Sequence, residues 1–155
     1  MTMVTLSSSV WDRLIEPVSP GSGQQRQLRL SLPQYKRAIA RDLEALLNTR
    51  VAFTADELAH YPACRASIVN FGLADFAQLC LGSSDDRKIV CDLITSAIAR
   101  HEPRLRQVRA RLVEQAGMVN RLSFAISGQL RALAESDRVQ FDVMLEPSNL
   151  HYSIR

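Results

Sequence analysis

Lysine is nearly missing from this 155-residue chain: Lys36 and Lys88 stand alone beside 17 arginines. Against 16 acidic side chains the formal charge is only +3, too small to point to nucleic acid. The arginine bias fits either a GC-rich genome or a surface of planar, bidentate donors suited to protein interfaces. Cysteine is sparse too. Cys64, Cys80 and Cys91 are odd in number, widely spaced and without a C-x-x-C pair. This excludes a disulfide framework or zinc knuckle and makes a reducing cytoplasm the expected home. No apolar run approaches the roughly 18 residues of a membrane helix, and Met1 to Val10 lack the basic and apolar regions of a secretory signal. The sequence has no H-E-x-x-H, no glycine-rich phosphate loop and no G-x-S-x-G, and His60, His101 and His151 are isolated. No metal, cofactor or small-molecule substrate is therefore expected. With 46% apolar and 23% charged residues, the chain is long and apolar enough for one core, which excludes wholesale disorder.

Residues 1–31 read as a flexible arm. Ser9 to Glu16 can form a short docking helix with Val10, Trp11, Leu14 and Ile15 on one side. Pro17 to Gln27, rich in Pro, Gly, Ser and Gln, cannot bury enough surface to order itself. From residue 32 to 155 the pattern is that of one domain. Tyr35, Ile39, Leu43, Leu46 and Leu47 recur at helical spacing and predict an amphipathic helix ending near Asn48. Thr54 or Asp56 can cap a shorter helix before Tyr61-Pro62. Ser83 or Ser84 caps a further helix, favoured by Asp85 and Asp86 at its start, by Arg100 and His101 at its end, and stopped by Pro103. Its stripe of Ile89, Val90, Leu93, Ile94, Ala97 and Ile98 predicts a central buried helix.

After Pro103 the period changes to two. Val108 to Val113, Leu122 to Ser127 and Val139 to Leu145 alternate as three strands with one buried face, and Tyr152 and Ile154 add a short fourth. Helices first and strands after predict an α+β fold: an arm and helices packed on a small antiparallel sheet formed by the C-terminal half.

Catalysis finds little support. Glu102 is a conceivable acid, but Arg104 two residues on favours its charged form, and no second carboxylate accompanies it as glycoside hydrolysis requires. Arg104, Arg106, Arg109 and Arg111 crowd eight residues without an aromatic to stack on bases. Strict alternation puts Arg106 and Arg109 on opposite faces unless a bulge or turn intervenes before Val108. The cluster serves either as a charged sheet edge that deters aggregation or as a seat for an acidic protein partner.

Four stretches resemble a known family. They are Asp12-Arg13-Leu14, Leu46-Leu47-Asn48-Thr49-Arg50, Ser67-Ile68-Val69-Asn70-Phe71-Gly72-Leu73, and Ala97-Ile98 through Glu102-Pro103-Arg104-Leu105. In this order and spacing they are similar to TssE, the wedge component of contractile-tail baseplates in type VI secretion systems. The resemblance implies a non-enzymatic structural subunit, located in a cytoplasmic baseplate docked at the inner membrane. It implies binding to the wedge subunits TssF and TssG and to sheath subunits, with no nucleic acid and no membrane insertion. Glu102, Pro103, Arg104, Arg106 and Arg109, with Trp11, Asp12, Arg13 and Leu14 of the arm, are the expected partner contacts. Glu102 and Arg104 suit an internal brace equally well. The alternatives are a lysozyme-like enzyme that cleaves peptidoglycan and a regulatory binding protein of the anti-adaptor type.

Overall fold

A computed structural model describes residues 31–80, 82–113, 122–131, 138–146 and 151–154. The arm, with Trp11, Asp12, Arg13 and Leu14, lies outside the described residues, as do the turns around Gly117 and Ala134 to Asp137.

The first helix, α1, spans Leu32–Asn48. Ser31 opens it as N-cap, and its N–H donates to Gln34 Oε1 at 2.9 Å, half of a capping box. Tyr35, Ile39, Leu43, Leu46 and Leu47 are all buried as their spacing predicts, each worth about 1.5–3 kcal/mol of apolar burial. The segment after Thr54 departs from expectation. Thr54 and Glu57 do form reciprocal bonds (Thr54 N–H to Glu57 Oε2 2.7 Å, Glu57 N–H to Thr54 Oγ1 3.3 Å), yet only turns follow. Leu58 is the one apolar anchor buried there, too little to propagate a helix before Pro62. A single helical turn, α2 (Pro62–Arg65), and a 3₁₀ turn at Ile68–Asn70 come next.

Helix α3 spans Ser84–His101, with Ser83 as N-cap, Asp85 and Asp86 in its first turn and Arg100 and His101 in its last. Of the stripe that predicts a central buried helix, one residue departs. Val90, Ile94, Ala97 and Ile98 face the core, whereas Ile89 is 45% exposed. Residues 89 and 90 are a hundred degrees apart on a helix, and one packed face cannot cover both.

Strands β1 (Leu105–Val113), β2 (Leu122–Leu130), β3 (Arg138–Glu146) and β4 (His151–Ile154) form one antiparallel sheet in that order. The α+β expectation holds, including the fourth strand. Leu105, Phe124, Ile126, Val139, Phe141, Val143, Leu145 and Tyr152 are buried with α1 and α3 in a single core. The opposite face carries Arg106, Arg109 and Arg111 on β1, then Ser123 to Gln129 and Arg138 to Met144 at alternate positions. The register slips between Arg106 and Arg109, where Gln107 and Val108 oppose Gly128 alone. Gln107 adopts φ 50°, the left-handed conformation of such a bulge. A Cβ on Gly128 would lie 3.3 Å from Arg106 O, so the glycine suits the bulged crossing.

Candidate functional site

The Glu102-Pro103-Arg104 corner joins the end of α3 to the start of β1. Pro103 cannot extend the helix, and Glu102 leaves it at φ −118°, ψ 79° while its N–H still reaches Ile98 O at 2.8 Å. This geometry turns the Glu102 carboxylate inward, where it is only 4% exposed. Oε1 accepts from the Arg104 backbone N–H at 3.1 Å and from Arg104 Nε at 2.7 Å, and Oε2 accepts from Arg104 Nη2. The same Nη2 donates to Asp42 Oδ2 of α1 at 2.6 Å. The guanidinium also stands 5.8 Å from the centre of the Tyr35 ring. Burial works against the charge of Arg104, but bonds and attraction from Glu102 and then Asp42 outweigh it and raise its pKa. The corner is thus an internal, charge-assisted clamp between α3, β1 and α1. Both oxygens of Glu102 are engaged, so it does not face a cleft as a glycosidase acid must.

Two more of the stretches that carry the resemblance meet around this corner. Asn70 is buried; its Nδ2 donates to Arg65 O at 3.1 Å and its carbonyl oxygen accepts from His101 Nε2 at 2.9 Å. The His101 ring meets Phe71 edge-on at 5.3 Å, and burial pushes its pKa below the ordinary value. Gly72 has φ +129°, and a Cβ there would lie 2.7 Å from Thr49 O. Only glycine allows Leu73 to bridge to this stretch, Leu73 N–H donating to Thr49 O at 2.8 Å and Val51 N–H to Leu73 O at 3.3 Å. Ile68 and Val69, on the same rigid turn, are 82% and 50% exposed.

Side chains also meet the outer edges of β1 and β4. The carboxamide of Asn48 pairs with Tyr152 as a strand would: Tyr152 N–H donates to Oδ1 at 2.8 Å, and Nδ2 donates to Tyr152 O at 2.8 Å. Ile154 N–H reaches Glu44 Oε2 at 3.1 Å. On the far edge, Ala110 N–H donates to Thr95 Oγ1 at 3.1 Å, and Leu112 N–H lies against the Cys91 sulfur. Helix α1 therefore caps β4 and helix α3 caps β1. Burial raises the pKa of Tyr152, whose enclosed hydroxyl has no hydrogen-bond partner among the described residues.

Of the expected contact residues, Glu102 and Arg104 are drawn inside, Pro103 is exposed at the corner, and Arg106 and Arg109 point outward from β1. Sequence reasoning missed Asp42, Glu44 and Asn48. Asp42 was visible as an acid three residues after Ile39 and four before Leu46, on the flank of the buried stripe. The shallow hollow bounded by Val51, Leu58, Arg65, Leu93, Ala97 and Arg100 has no carboxylate in its lining. Among the described residues, no group of three His, Cys, Asp or Glu is arranged to hold a metal, and no helix is long and apolar enough to cross a membrane.

A small α+β scaffold clamped at one corner, its two edge strands capped by its own helices, has the character of an assembly subunit. The family described as baseplate wedge protein gp25 matches residues 33–135, more than half of the chain, and the protein belongs to it. That family is a structural component of the baseplate. No curated protein matches the chain.

Proposed function

We propose that this protein is the non-enzymatic wedge subunit of a type VI secretion baseplate. In this reading it works in the cytoplasm, in a baseplate docked at the inner membrane, binds TssF and TssG and helps sheath polymerisation begin. The observation that carries the reading is the match to the baseplate wedge family from α1 through β2. The corner geometry supports it, because a charge clamp that fixes helices to sheet suits a part that must hold its shape under load. Pro103, Arg106 and Arg109 on the body, and Trp11, Asp12, Arg13 and Leu14 on the arm, are assigned to partner contacts. Ile68 and Val69, exposed on their rigid turn, add an apolar contact.

Sheath subunits are assigned to a different place. β4 pairs only with Val143 to Glu146. Among the described residues, no strand lies beside Arg138, Gln140 and Asp142 on that side of β3. The outward N–H groups of Tyr152 and Ile154 set the alternation, so these three residues turn their backbone groups to the open side. An extended sheath arm can add there in line with β4.

The test is capture of the tagged full chain from lysate, with partners identified by mass spectrometry. TssF and TssG are expected, and their absence would overturn the reading. Incubation with purified peptidoglycan separates it from the enzymatic alternative: turnover that disappears in Glu102→Gln would replace a structural role with a catalytic one.

A further inference from the structure

The outer face of the sheet bears a line of positive charge that the fold does not use. The bulge at Gln107 and Val108 brings Arg106 into file with Arg109 and Arg111, where plain alternation would divide them between faces. The three stand opposite Gln129, Ser127 and Ala125, so successive members are about 7 Å apart at the backbone. Arg138 extends the row of Arg106 across Gln129. All four arginines are exposed, and among the described residues none has a side-chain hydrogen bond or ion pair. Like charges aligned along one strand repel one another. Beside them on this face stand the small side chains of β2, Ser123 and Ser127 half-buried and Ala125 buried between them.

We infer that this face docks an acidic protein segment whose carboxylates stand about 7 Å apart in line, as alternate residues of an extended chain do. Each guanidinium can grip a carboxylate through two parallel N–H···O bonds, a fit that lysine could not give. Charge complementarity selects this occupant. Nucleic acid fits less well, because no Phe, Tyr or Trp among the described residues of this face can stack a base. That the occupant is a protein rests on the subunit reading above.

The experiment titrates the isotope-labelled full chain with three probes, followed by backbone amide shifts. The probes are a blocked peptide of alternating Glu and Thr, the same peptide with Gln for Glu, and a single-stranded oligothymidylate. The Glu peptide should shift amides of β1 and β2 around Arg109 and Ser127. Its affinity should fall roughly tenfold or more in the doubly substituted Arg109→Ser, Arg111→Ser chain, through loss of two charge-assisted contacts. The melting temperature of that variant should not change, since both side chains are exposed. Absence of binding, equal binding of the Glu and Gln peptides, an undiminished affinity in the double variant, or tighter binding of oligothymidylate would each overturn the inference. If the wild-type chain still captures TssF and TssG while the peptides fail, the docking face is wrong and the subunit reading stands.

Discussion

Arg104, at the threshold of the sheet, reaches Asp42 on the first helix, 62 positions earlier in the chain, with Nη2 2.6 Å from Oδ2. The same guanidinium holds both oxygens of Glu102. One side chain therefore ties the exit of α3 to α1, at a point where strand, proline corner and helix must agree in angle.

Removing it should be costly. Arg104→Ala leaves Glu102 buried without its counter-charge, and a loss of about 3–5 kcal/mol is expected. Arg104→Lys should recover only part of this, because an ammonium cannot span Glu102 and Asp42 as the planar fork does. Urea unfolding of the three proteins checks both statements. Wild-type stability in Arg104→Ala would show that the clamp braces nothing.

Asn48→Ala should cost about 1–3 kcal/mol by leaving the edge groups of Tyr152 without their carboxamide partner. Asn48→Asp should be no better, since it loses the donor that serves Tyr152 O and Glu44 O. Hydrogen exchange at Tyr152 is the local readout, and it should accelerate in both variants while amides in β2 change less.

Gly72→Ala should lose roughly 2–4 kcal/mol from backbone strain and overpacking together. The positive φ and the close approach to Thr49 O act in the same direction. Thermal unfolding measures the loss; a neutral result would mean that the bridge between residues 50 and 73 is dispensable.

The depressed pKa of His101 makes folding acid-sensitive. The unfolded imidazole takes up its proton near pH 6.5, whereas the folded one resists until a lower pH. The unfolded state then binds more protons, so stability falls as pH drops below about 6.5 and levels off once the folded ring is itself protonated. Titration by NMR should place the His101 midpoint below 6.5 and should show no such depression in urea-unfolded protein.

Much of this fold was legible because, among the described residues, the first long helix and the strands β2 and β3 carry a clean hydrophobic period. Even the fourth strand, four residues long, announced itself through Tyr152 and Ile154. Ile89 misled for a definite reason: a broad apolar stripe says nothing about which flank a neighbouring sheet leaves uncovered. The tripeptide corner was visible as a feature, but not its direction. Whether Glu102 and Arg104 turn in or out depends on Asp42, and no local pattern pairs residues so far apart. Arg106, Arg109 and Arg111 were legible as a cluster, and the need for a bulge followed from their parity. That parity put a bulge or turn before Val108, and the slip does fall at Gln107 and Val108; what the sequence did not show is that Gln107, a non-glycine residue, takes the left-handed geometry.

The central claim is that a rigid, internally clamped chain serves as a wedge component. Co-expression of the full chain with TssF and TssG, followed by mass measurement of the purified species, tests it most directly. A single complex containing all three subunits, stable through size-exclusion chromatography, is expected. A chain that elutes alone, with TssF and TssG associating without it, would contradict it.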